Sequence, residues 1–85
     1  MKISAEMSLY PLEEKYEKPI LEFIDKLKSH PELTVNVNTM STQVFGEFDT
    51  VMDEIKIAMK STFSEELARI LVVKFINSDL TPKDA

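Results

Sequence analysis

The sequence predicts an α+β domain in which one four-stranded antiparallel sheet carries two helices on one face. Three observations predict it. Short stretches alternate between apolar and polar residues with period two. Two longer stretches place apolar residues at helical spacing. Their order along the chain is strand, helix, strand, strand, helix, strand. At 85 residues the chain is one domain.

The first strand is Lys2 to Tyr10. Ile3, Ala5, Met7 and Leu9 alternate with Ser4, Glu6, Ser8 and Tyr10, and Pro11 ends the ladder because it lacks a donor. Residues 13–18 lead into the first helix. Pro19 suits its first turn, and Ile20, Phe23, Ile24 and Leu27 form its apolar stripe. Pro31 stops that helix and pushes His30 out of the helical region.

Leu33 to Asn38 alternates again, and Thr39 to Thr42 joins it to a third strand, Gln43 to Phe48. Gly46, the sole glycine, lies inside that strand, where it marks a bulge or a close backbone approach. Asp49 or Thr50 caps the second helix, with Asp53 in its first turn and Val51, Ile55, Ala58 and Thr62 along its stripe. Ser64 to Ala68 is a short helical turn or a loop. Ile70 to Ile76 is a nearly continuous apolar run, the pattern of a central strand. This order is the split βαβ arrangement, the ferredoxin-like βαββαβ fold. Residues 1–77 form the domain, and a polar tail, 78–85, follows it; the chain from Asn77 onward is expected to fray.

Composition narrows the function. Apolar residues make up 44% and charged residues 29%, the balance of a soluble globular protein. With no cysteine there are no disulfides or thiolate metal sites, and one histidine cannot build a histidine-rich site. A net charge of −5 opposes phosphate backbones, and the aromatics are not interleaved with basic residues, so nucleic acid is not an expected partner. No apolar run approaches the roughly 20 residues of a membrane span, and Glu6 interrupts any signal-peptide core. The expected location is the cytoplasm. One glycine cannot make a phosphate-binding loop, and no nucleophile sits in an activating setting. The expectation is binding without catalysis and without a cofactor.

Two helices on one face leave the other sheet face open. Alternation assigns Ser4, Glu6, Ser8, Tyr10, Thr34, Asn36 and Asn38 to it. Either orientation of the last strand adds apolar groups: Ile70, Val72 and Ile76 beside Lys74, or Leu71, Val73 and Phe75. Such a face is a dimer interface with a polar fringe, or a ligand pocket closed by that interface. Glu6 needs a partner if it is desolvated, from Lys74, hydroxyls or a ligand. The hydroxyls of Thr39, Ser41 and Thr42 either complete a turn or meet a heterocycle, with Met40 packing on its face.

Ser8-Leu9-Tyr10-Pro11-Leu12, and Met40 to Asp49 followed by Val51, Met52 and Ile55, resemble the YkoF-like thiamine-binding family over nearly the whole chain. The most specific part is the hydroxyl pair followed by Gly46-Glu47-Phe48-Asp49. The resemblance implies a ferredoxin-like domain that associates through its sheet into a dimer or tetramer. It also implies binding of thiamine or its hydroxymethylpyrimidine moiety. By carry-over Ser8, Met40, Ser41 and Thr42 line the pocket, with Glu6 as a further polar partner. Members of that family often continue past the last strand into another helical segment, whereas this chain ends at Ala85.

Overall fold

A computed structural model describes residues 1–83. The elements are β1 (Lys2–Pro11), α1 (Glu17–Lys28), β2 (Thr34–Val37), β3 (Thr42–Glu47), α2 (Phe48–Phe63) and β4 (Arg69–Ile76). All pairings are antiparallel, in the order β2-β3-β1-β4. The predicted ferredoxin-like α+β fold is borne out.

Period-two alternation fixes the core. Ile3, Ala5, Met7 and Leu9 on β1 and Val44 on β3 are buried beneath Phe23 and Leu27 of α1 and Val51, Ile55 and Ala58 of α2. Full burial of side chains such as Leu27 and Val51 contributes about 1.5–3 kcal/mol each. Leu71 and Val73 pack against the margin of this layer.

Several local expectations change. β4 is an edge strand, not a central one, because among the described residues only β1 pairs with it. Its apolar run is spread over both faces, and Ile70, Val72, Phe75 and Ile76 remain about half exposed. α2 begins at Phe48, with Glu47 as its N-cap and no side-chain cap bond. Asp49 is therefore its first-turn acid, and Asp53 lies further along. The Phe48 N–H is satisfied instead by the Met1 carbonyl at 2.8 Å. A substitute partner from the other end of the chain explains why no capping side chain is needed.

Gly46 is a close approach rather than a bulge. The β1–β3 register runs unbroken through Ile3↔Gly46. A Cβ there would lie 3.0 Å from Leu33 Cδ2 and 3.4 Å from the Glu32 carbonyl oxygen.

The chain after β4 also departs from expectation. Ser4 Oγ donates to the Ser78 carbonyl at 2.7 Å and accepts from the Leu80 N–H at 2.8 Å. Residues 78–80 therefore lie across one end of the open face rather than fraying. Ser4 is buried as a result, and its register partner Phe45 is 5% exposed although it faces away from the helices. Asp84 and Ala85 lie outside the described residues.

Candidate functional site

The strand lengths create a gap. β1 pairs with β3 only as far as Met7↔Thr42, yet it continues beside β4 to Pro11. From Ser8 onward, β1 has no ladder partner on the β3 side. Pro11 contributes no donor there. The β2–β3 connection, Asn38 to Ser41, makes no ladder pairs with β1 over this stretch and is closed by Asn38 N–H to the Ser41 carbonyl at 2.8 Å.

A cleft of about 410 Å³ fills the gap on the helix side. Its floor is Met7, Leu9 and Thr42, and one wall is Ile20, Phe23 and Ile24 of α1. The opposite wall is Val37 to Ser41, and Tyr10, Leu12 and Tyr16 stand at the mouth. Tyr10 and Tyr16 are each half exposed. The walls are mainly apolar, and the polar groups sit on the floor and along the loop.

The structure divides the sequence-predicted residues. Ser8, Met40, Ser41 and Thr42 all line this cleft, and Glu6 does not. Thr42 is opposite Met7 in the register, so it faces the helices, where it is 6% exposed. Its hydroxyl has no hydrogen-bond partner among the described residues. The other hydroxyls are committed. Ser8 Oγ donates to the Met40 carbonyl at 3.1 Å. Ser41 Oγ donates to Glu6 Oε2 at 3.0 Å. Met40 itself is 88% exposed at the tip of the connection.

Glu6 lies on the open face opposite Lys74 and Gln43. Lys74 Nζ approaches Glu6 Oε1 at 2.9 Å. The Lys74 ammonium and then the Ser41 hydroxyl hold the Glu6 carboxyl below the usual carboxylate range. The same contact holds Lys74 above its usual range. The Lys74 side chain is 77% exposed, so the pair is a surface ion pair that contributes little to stability. Its geometric effect is larger. Glu6 and Ser8 together hold the connection that forms a cleft wall.

A second hollow, about 420 Å³, lies on the open face between Glu6, Gln43, Lys74, Phe45 and Leu80. Its charged groups satisfy each other, and its rim is open sheet. Among the described residues no cluster of His, Cys, Asp or Glu could hold a metal ion. His30 instead serves a turn, where Nδ1 accepts from the Glu32 N–H at 3.1 Å.

Sequence reasoning missed the apolar walls of the cleft. Helical spacing marks Ile20, Phe23 and Ile24 only as a core stripe, and the local sequence marks Tyr16 only as part of a charged lead-in. It also missed Arg69, the sole arginine. Its side chain is 9% exposed and joins three elements. Nη1 donates to the Thr62 carbonyl at 3.0 Å and to Thr62 Oγ1 at 2.6 Å. Nη2 meets Glu13 Oε1 at 3.1 Å. Arg69 thereby ties the β1–α1 loop, next to the cleft mouth, to the end of α2.

No known family model matches the chain, and no curated protein matches it. Solved structures do. A Streptococcus pneumoniae protein is 27% identical, with a TM-score of 0.85 over 99% of this chain and 94% of that one. A hypothetical protein from Methanocaldococcus jannascii is 23% identical, with a TM-score of 0.80 over 95% and 84%. A Thermotoga maritima protein provisionally assigned to thiamine biosynthesis or salvage is 20% identical, with a TM-score of 0.76 over 99% and 94%. These likenesses establish that the fold, at nearly full length, is shared with chains from both bacteria and an archaeon.

Proposed function

We propose that the helix-side cleft binds thiamine or its hydroxymethylpyrimidine moiety and performs no chemistry on it. The observation that carries this reading is a conjunction at one place. An apolar cleft of ligand size meets an unpaired strand edge at Ser8–Tyr10 and the side chain of Thr42, a residue 6% exposed that lines it. An aminopyrimidine presents an amine donor beside ring-nitrogen acceptors. Main-chain groups of an unpaired strand edge offer that alternation in reverse, and a hydroxyl adapts to either role. Ile20, Phe23 and Ile24 supply a slot for the flat ring, and Met40 is free to close over it. The thiamine assignment of the Thermotoga maritima neighbour supports the same ligand class. So does the resemblance carried by Ser8–Leu12 and Met40–Asp49.

The lining supports binding without chemistry: among the described residues no His, Lys, Asp or Glu lines the cleft. Calorimetric titration with thiamine and with hydroxymethylpyrimidine tests the reading. Both are expected to give saturable heat and to be recovered unchanged. No heat from either at millimolar ligand would overturn it.

A further inference from the structure

Part of the cleft mouth is a loop, and one buried arginine holds that loop. Beyond Pro11↔Arg69, the last register pair of β1 and β4, the chain leaves the sheet as the β1–α1 loop. Leu12 and Tyr16 of this loop stand at the mouth, 58% and 52% exposed. Side chains that exposed hold a loop only weakly by packing. Two polar contacts tie it down. The Leu12 N–H donates to the Ala68 carbonyl at 3.1 Å. Arg69 Nη2 donates to Glu13 Oε1 at 3.1 Å, and Glu13 lies between the two mouth residues in sequence.

The other side of the arginine fork is fixed. Nη1 donates to the Thr62 carbonyl and to Thr62 Oγ1, and Thr62 is buried in α2. Nε is buried with no partner among the described residues, so the guanidinium directs its bonds to Glu13 and Thr62 alone. A partly buried ion pair is weak evidence of stabilisation, whereas a planar fork between two partners sets geometry. Neither Arg69 nor Glu13 lines the cleft, so their effect on a ligand passes through the loop.

We propose that Arg69 is a positioning residue for the cleft: through Glu13 it sets Leu12 and Tyr16 at the mouth before a ligand arrives. This rests on the reading of the cleft as a thiamine-type pocket. A mouth already in place spares the ligand the cost of ordering those side chains. Without the fork, the loop is ordered only on binding, and the bound ligand leaves faster.

The test compares wild type with Arg69→Met and Glu13→Gln by thiamine calorimetry, thermal melting and tyrosine fluorescence anisotropy. Glu13→Gln keeps an acceptor oxygen opposite Arg69, so it decides the matter should Arg69→Met fail to fold. The chain has two tyrosines and no tryptophan, so in a Tyr10→Phe background the fluorescence reports Tyr16 alone. Both variants are expected to lower the Tyr16 anisotropy without ligand and to weaken thiamine binding roughly two- to tenfold. The double variant is expected to bind no more weakly than Arg69→Met, because both substitutions break one contact. Wild-type anisotropy and affinity in the folded variants, whatever their melting temperature, make Arg69 a stabilising contact only and overturn the inference. Lower anisotropy with unchanged affinity also overturns it, as do effects of the two substitutions that add. No heat from the wild type overturns the thiamine reading instead, and the Tyr16 anisotropy then still decides whether Arg69 holds the mouth.

Discussion

Thr42 carries the most weight at the scale of single residues. Thr42 is 6% exposed and lines the cleft. Thr42→Val keeps the branched shape and removes the hydroxyl. The variant is expected to melt near the wild-type temperature while its affinity for thiamine falls roughly two- to tenfold, the value of one net hydrogen bond. A lowered melting temperature with unchanged affinity would assign the hydroxyl to the fold instead. Gly46 makes a separate demand. An added Cβ would press on Leu33 Cδ2 at 3.0 Å, and Leu33 is itself buried in the core, with the Glu32 carbonyl next at 3.4 Å. Gly46→Val is expected to cost roughly 1–3 kcal/mol. At this chain length that lowers the melting temperature by several degrees. A shift within a degree or two would contradict the close-approach account.

Among the elements, the β2–β3 connection couples the two sides of the sheet. Its residues wall the cleft, yet the side chains that hold it, Glu6 and Ser8, come from positions on β1 that alternate away from the helices. The Glu6 carboxyl is held low by Lys74 and Ser41. Its contribution is therefore complete above the ordinary carboxylate value of about 4.3 and is lost as pH falls through the lowered value in the folded protein. Lys74 is held high. Its contribution is complete below about 10.4 and is lost as pH rises through its folded value. Hydrogen exchange measured across that range is expected to show constant protection of residues 39–41 between those limits and a loss on the acid side. Glu6→Gln is expected to abolish the acid step. A step that survives in Glu6→Gln would assign it to another carboxylate.

The same connection shows what was legible in the sequence. Period-two alternation placed Glu6 on the open face and Ile3 to Leu9 beneath the helices, because burial acts on every second residue. Helical spacing gave both apolar stripes for the same reason. It did not reveal the cleft, which arises because β3 stops at Thr42 while β1 runs on to Pro11. That is a difference in strand length, and no local pattern encodes it. The edge position of β4 was hidden likewise. An apolar run covered on both faces and one left half exposed read alike until its neighbours are known. The pinning of residues 78–80 depends on Ser4, 74 positions earlier than Ser78.

At the scale of the whole molecule, the open face is only partly covered by its own chain. Ser78 to Leu80 cover Ser4, but Ile70, Val72 and Ile76 stay half exposed along an edge strand that has no proline within it. A small domain gains stability by covering such a face, and an exposed apolar edge strand invites pairing. The expected partner is a second copy of the chain. Light scattering at micromolar concentration should give the mass of a dimer or a larger homo-oligomer. A one-chain mass would contradict that expectation without touching the cleft, whose lining all comes from one chain.

Amide chemical-shift mapping during a thiamine titration tests the site itself most directly, because the two hollows lie on opposite faces of one sheet. The account predicts that the largest shifts fall on Leu9, Tyr10, Phe23, Ile24 and Val37 to Thr42, around the helix-side cleft. Shifts centred on Ser4, Gln43, Lys74, Ile76 and Leu80 would place the ligand in the open-face hollow and contradict it.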